Sequence, residues 1–64
     1  MVTRIVVAED SLLVREGIEK LLGRQNDIEI VALCVDLPEL LAAVESHRPD
    51  AVLTDIRMPP NTHD

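Results

Sequence analysis

The chain of 64 residues contains no phenylalanine, tyrosine or tryptophan. Any core it builds is therefore aliphatic. Its one cysteine, Cys34, excludes an internal disulfide. The apolar neighbours Val31, Ala32, Leu33 and Val35 predict a buried packing thiol rather than a reactive one. Basic residues are scarce, with 6 Lys and Arg against 12 Asp and Glu, for a net charge of −6. That balance opposes nonspecific nucleic-acid binding, whose affinity comes largely from cations neutralising phosphates. Any DNA contact is expected from another segment. No apolar run approaches the ~20 residues of a membrane span, and no basic region followed by a long apolar stretch opens the chain. The expectation is a soluble, cytoplasmic protein without a membrane partner. His47 and His63 lie in different segments and match no zinc-ligand spacing.

What is present is apolar and periodic. Hydrophobic residues make up 47% of the chain, which argues for globular folding, in one domain at most. Residues 4–8 are a short β-branched run that reads as a strand buried on both faces. From about 12 to 23, Leu13, Val14, Gly17, Ile18, Leu21 and Leu22 share one helical arc, with Arg15, Glu16, Glu19 and Lys20 on the other side. Ser11 is placed to cap the start of this helix and Gly23 its end. Residues 28–35 form a second β-rich run. Asp36, Pro38 and Glu39 then mark a helix start, and Leu37, Leu40, Leu41 and Val44 recur at helical spacing over 37–47. His47 complements the carboxyl end of that helix, and Pro49 disfavours its continuation through Arg48. A third strand spans 51–54. The order β-α-β-α-β with short connections predicts an α/β fold of parallel strands joined by right-handed crossovers.

Two of those strands end in acids. Glu9 and Asp10 follow the first, and Asp55 follows the third. In a parallel sheet all three fall at the carboxyl edge, where ligands of such sheets bind. Three ionised carboxylates at close range repel one another, and a divalent cation relieves that cost. Oxygen donors of this kind suit Mg²⁺. A carboxylate beside bound Mg²⁺ can attack a phosphoryl group, giving an aspartyl phosphate. The simpler alternative is a set of solvated strand-end caps.

The segments Ile5-Val6-Val7-Ala8-Glu9-Asp10-Ser11 and Leu53-Thr54-Asp55-Ile56-Arg57-Met58-Pro59 closely resemble the receiver domain of bacterial two-component response regulators. Val14-Arg15-Glu16-Gly17-Ile18 and Arg48-Pro49-Asp50 look most like the subfamily with a C-terminal LuxR-type DNA-binding helix-turn-helix. The resemblance implies a flavodoxin-like fold with strand order 2-1-3. It also implies that Asp55 is the phosphoacceptor for a sensor histidine kinase. Glu9, Asp10 and Asp55 would hold Mg²⁺ together with the backbone carbonyl of Arg57, while Met58 and Pro59 shape the following loop. Such a domain is a signalling phosphoacceptor rather than an enzyme. A phosphohydrolase working through an aspartyl phosphate would carry a second Asp two residues after the nucleophile, and position 57 is Arg.

A receiver has five βα units, whereas residues 1–64 match only the first part of one. The Ser or Thr after strand four, the Lys after strand five and the switch aromatic have no counterpart here. Residues 1–64 are therefore expected to form a partial receiver with the third strand at a sheet edge. Residues 51–54 carry no charge to protect that edge. The expected consequence is a homodimer, or pairing with a complementary receiver half, through the third strand. The alternative function is accordingly a self-associating interaction half-domain without phosphoacceptor activity.

Overall fold

A run such as Ile5-Val6-Val7-Ala8 has no polar face to offer solvent, so it is stable only with cover on both sides. The structure, a computed structural model describing residues 1–55, puts it in the middle of a sheet. The elements are β1 (Thr3–Ala8), α1 (Leu12–Leu22), β2 (Ile28–Cys34), α2 (Leu37–His47) and β3 (Ala51–Thr54). The sheet order is β2-β1-β3, with both pairings parallel. All of Ile5 to Ala8 is buried, and Val6 and Val7 are fully inaccessible. Against β2 the register slips once: Ile5 lies opposite Ile30 but Val6 opposite Ala32, so Val31 is an extra residue on β2.

The core on one face of the sheet joins Val6, Ala8, Cys34 and Leu40, with Val31, Ala32, Ala43 and Val44 packed against it. α2 thus covers this face. Leu40 and Val44 point inward as their spacing predicts, but Leu41 is exposed and Ala43 takes its place against the core. Burial pushes the Cys34 thiol above its usual range, helped by the charges of Glu39 and Asp36. The thiol packs in the core, as its neighbours imply.

α1 departs further from its helical arc. Ile18 and Leu22 are half-buried, whereas Leu13 is 81% exposed and Leu12, Val14 and Leu21 also face outward. No residue of α1 is fully buried among the described residues. Its ends nevertheless follow local rules. Ser11 Oγ accepts from the Val14 N–H at 3.4 Å. Gly23 caps the other end in the right-handed region (φ −65°), so its role is spatial: an added Cβ would sit 2.8 Å from the Glu19 carbonyl oxygen.

The start of α2 is reciprocal. Asp36 Oδ1 accepts from the Glu39 N–H at 3.0 Å, and Glu39 Oε1 accepts from the Val35 N–H at 3.0 Å. Its end differs from the simplest expectation for a residue before proline. Arg48 caps the helix in the left-handed region (φ 48°, ψ 61°) instead of extended backbone. Two hydrogen bonds hold it there: its N–H donates to the Val44 carbonyl at 2.9 Å, and its own carbonyl accepts from Arg4 Nη1 at 3.2 Å.

Arg4 also anchors the start of β3. The Asp50 N–H donates to the Arg4 carbonyl at 2.7 Å, and the Arg4 N–H donates to Asp50 Oδ2 at 2.8 Å. From that clamp β3 runs in step with β1, Ile5 opposite Ala51 through Ala8 opposite Thr54. All four β3 residues are exposed, and among the described residues β3 pairs with β1 alone. No described helix is long and apolar enough to cross a membrane.

Candidate functional site

Because β1 and β3 are parallel and in register, whatever follows Ala8 lies beside whatever follows Thr54. Those residues are Glu9 and Asp55. The ladder continues into both: the Glu9 N–H donates to the Cys34 carbonyl at 2.9 Å, and the Asp55 N–H donates to the Ala8 carbonyl at 3.4 Å. Asp10, one residue further on, completes the group. One carboxylate oxygen from each of Glu9, Asp10 and Asp55 lies within 4.8 Å of the others. The residues grade from buried Glu9 (7% exposed) through half-buried Asp55 to exposed Asp10. An open depression of about 140 Å³ adjoins them, lined by Ala8, Glu9, Ile18, Leu53, Thr54 and Asp55.

A buried carboxylate needs partners, and Glu9 has a local one: its Oε2 accepts from the Ser11 N–H at 3.1 Å. Ser11 therefore serves twice, with its N–H on Glu9 and its Oγ capping α1. The turn that carries the acids is tied in this way to the helix start. A third tie comes from Arg15, whose Nη1 donates to the Glu9 carbonyl at 2.8 Å.

The helical period puts Arg15 on the solvent side of α1, and the structure corrects this, since the side chain is half-buried and turns back over the acidic loop. Side chains on a helix lean toward its N-terminus. A long donor one turn into α1 is thus well placed to reach the preceding strand end. That tilt is the signal that points to Arg15; periodicity alone does not.

The donor set is all carboxylate oxygen. Hard oxygen donors of this kind fit Mg²⁺, which Glu9, Asp10 and Asp55 would hold with retained waters completing its ligands. The Cys34 thiol is part of the core and contributes nothing here. The structure brings together three of the expected site residues, Glu9, Asp10 and Asp55. The fourth, the Arg57 carbonyl, lies outside the described residues, as do Met58 and Pro59.

Residues 5–62 match the response regulator receiver domain family. Among curated proteins, the chain is 42% identical over 57 residues to the oxygen regulatory protein NreC of Staphylococcus aureus, covering 89% of this chain and 26% of that protein. The chain thus spans about a quarter of that relative's length. Among solved structures, the signal receiver domain of NarL from Mycobacterium tuberculosis superposes with a TM-score of 0.87 at 34% identity, covering 91% of this chain and 47% of that one. The response regulator domain of Thermotoga maritima CheB gives 0.86 at 29% identity, covering 92% and 44%.

Three acids held this close repel one another in the absence of a cation. Asp10→Asn, which removes one charge at the exposed member, is expected to raise the urea midpoint of the metal-free protein. The gain should shrink as salt rises and the screening length falls toward and below about 10 Å. A midpoint unchanged at low ionic strength would show that the carboxylates do not interact.

Proposed function

The chain belongs to the response regulator receiver domain family, and from that membership we propose that Asp55 accepts a phosphoryl group from a sensor histidine kinase at a Mg²⁺ site formed with Glu9 and Asp10. The observation that carries this reading is the approach of the three carboxylates within 4.8 Å at the carboxyl edge of β1 and β3. Glu9 and Asp10 would hold the cation directly or through water, and the Arg57 carbonyl would add a ligand. Bound Mg²⁺ would neutralise charge on the transferred oxygens.

Asp55 supplies the nucleophile. One of its oxygens forms a bond to phosphorus as the phosphorus–nitrogen bond of the kinase phosphohistidine breaks; the departing histidine nitrogen keeps the electron pair. The β1–β3 register supports this role, since the Asp55 backbone is the next rung of the ladder beside Glu9. The depression beside Leu53 and Thr54 leaves room at the reacting edge.

In this reading residues 1–64 are part of a receiver in a cytoplasmic response regulator that controls transcription. Its role is to accept and report phosphate rather than to turn over a substrate. The net charge of −6 supports assigning DNA contact to a LuxR-type domain elsewhere in the protein. Incubation with Mg²⁺ and a small phosphodonor is expected to add one phosphoryl group by intact mass. Asp55→Asn or removal of Mg²⁺ should abolish the addition. Equal labelling of Asp55→Asn would overturn the assignment of the nucleophile.

A second reading, a self-associating half-domain without phosphoacceptor activity, draws on the exposed outer edge of β3. Unpaired strand edges of this kind recruit another strand, so a second copy or a complementary receiver half would dock there. Sedimentation of this chain is then expected to show a concentration-dependent dimer. A dilute monomer with full native secondary structure would exclude pairing through β3.

A further inference from the structure

The acidic loop poses a positioning problem that its own residues solve only in part. Glu9 is anchored through its N–H to Cys34 and through Oε2 to Ser11. Asp10 is exposed and makes no comparable bond among the described residues, yet its carboxylate has to meet those of Glu9 and Asp55. Asp10 is joined to the rest by two planar peptides: the Asp10–Ser11 peptide is held by the Ser11 N–H on Glu9 Oε2, which leaves the Glu9–Asp10 peptide to be fixed. The orientation of the Glu9 carbonyl therefore sets the direction in which Asp10 leaves the strand. That carbonyl accepts from Arg15 Nη1 at 2.8 Å.

Among the described residues, the packing of α1 does little to impose this orientation. It buries no residue fully, and Leu12 and Leu13 at its start are exposed. The Arg15 bond spans from the body of the helix to the strand end. It uses a permanently charged donor, which makes a stronger hydrogen bond to a carbonyl than a neutral one does.

We propose that Arg15 is a positioning residue for the cation site: by holding the Glu9 carbonyl it fixes the Glu9–Asp10 peptide plane and keeps the Asp10 carboxylate turned toward Glu9 and Asp55. The proposal rests on the reading of the cluster as a Mg²⁺ site, and it makes a prediction opposite in sign to simple electrostatics. Removing a positive charge beside a cation site should by itself tighten Mg²⁺ binding. Loss of positioning should weaken it.

Mg²⁺ affinity is measured by calorimetry on the whole chain for wild type, Arg15→Ala, Arg15→Lys and Asp10→Asn. Arg15→Ala is expected to weaken Mg²⁺ binding about tenfold, as for other groups that orient metal ligands. Arg15→Lys, which can still donate to the carbonyl, should recover most of the loss. Unchanged or tighter binding in Arg15→Ala overturns the proposal.

Asp10→Asn separates this outcome from failure of the Mg²⁺ reading, since an affinity unchanged there indicts the site itself. The positioning role is then judged on metal-free protein by amide relaxation. Arg15→Ala should lower the Asp10 order parameter from ~0.85 toward ~0.6 while β1 and β2 amides stay rigid. An unaltered Asp10 amide, or loosening of the whole sheet, contradicts the role of Arg15.

Discussion

The candidate site depends on one register. Ala8 pairs with Thr54 in the parallel ladder between β1 and β3, and the acids at the carboxyl edge are placed relative to that pair. A slip by one residue would turn the Asp55 side chain to the opposite face of the sheet and separate it from Glu9. The register is secured far from the acids, where Asp50 and Arg4 exchange two hydrogen bonds and Arg4 also holds the Arg48 carbonyl. The left-handed backbone of Arg48, unfavourable for a residue with a side chain, belongs to that anchor. Hydrogen bonds at the amino edge of the strands thus help to set geometry at the carboxyl edge.

Holding three carboxylates together costs free energy, and the fold meets that cost locally. The Ser11 N–H satisfies Glu9, and the guanidinium of Arg15 lies on the Glu9 carbonyl, bringing positive charge to the acidic loop without taking a carboxylate oxygen out of use. A cation would relieve the remaining repulsion. The gradient of exposure from Glu9 to Asp10 gives the cluster a rigid inner member and an accessible outer one.

Much of this was legible in the sequence because the relevant signals are local. The apolar run at 4–8 reads as a strand buried on both faces, Ser11 and Asp36 mark the helix starts, and the acids at two strand ends predict their own convergence; the central place of β1 comes from the family's strand order. Signals that depend on distant partners were less legible. The apolar arc of α1 gave no indication that Leu13 and Leu21 would stay uncovered by the described residues, and Ala43 rather than Leu41 met the core because Leu40, Ala43 and Val44 share the i, i+3, i+4 face, which the bulkier Leu41 flanks. Arg15 was hidden for a related reason: a periodic pattern sorts residues by direction from the helix axis, whereas this side chain acts along the axis. The Arg48 backbone was not legible from Pro49 alone, since two tertiary hydrogen bonds override the local preference.

The central claim is that a divalent cation binds between Glu9, Asp10 and Asp55. Mn²⁺, which takes the same oxygen ligands as Mg²⁺, can report its own location by broadening nearby amide resonances. At substoichiometric Mn²⁺ the account predicts that Ala8 to Ser11 and Thr54 to Asp55 broaden first, with reversal on adding excess Mg²⁺. Broadening centred on Asp36 and Glu39, or spread evenly over the acidic surface, would contradict it.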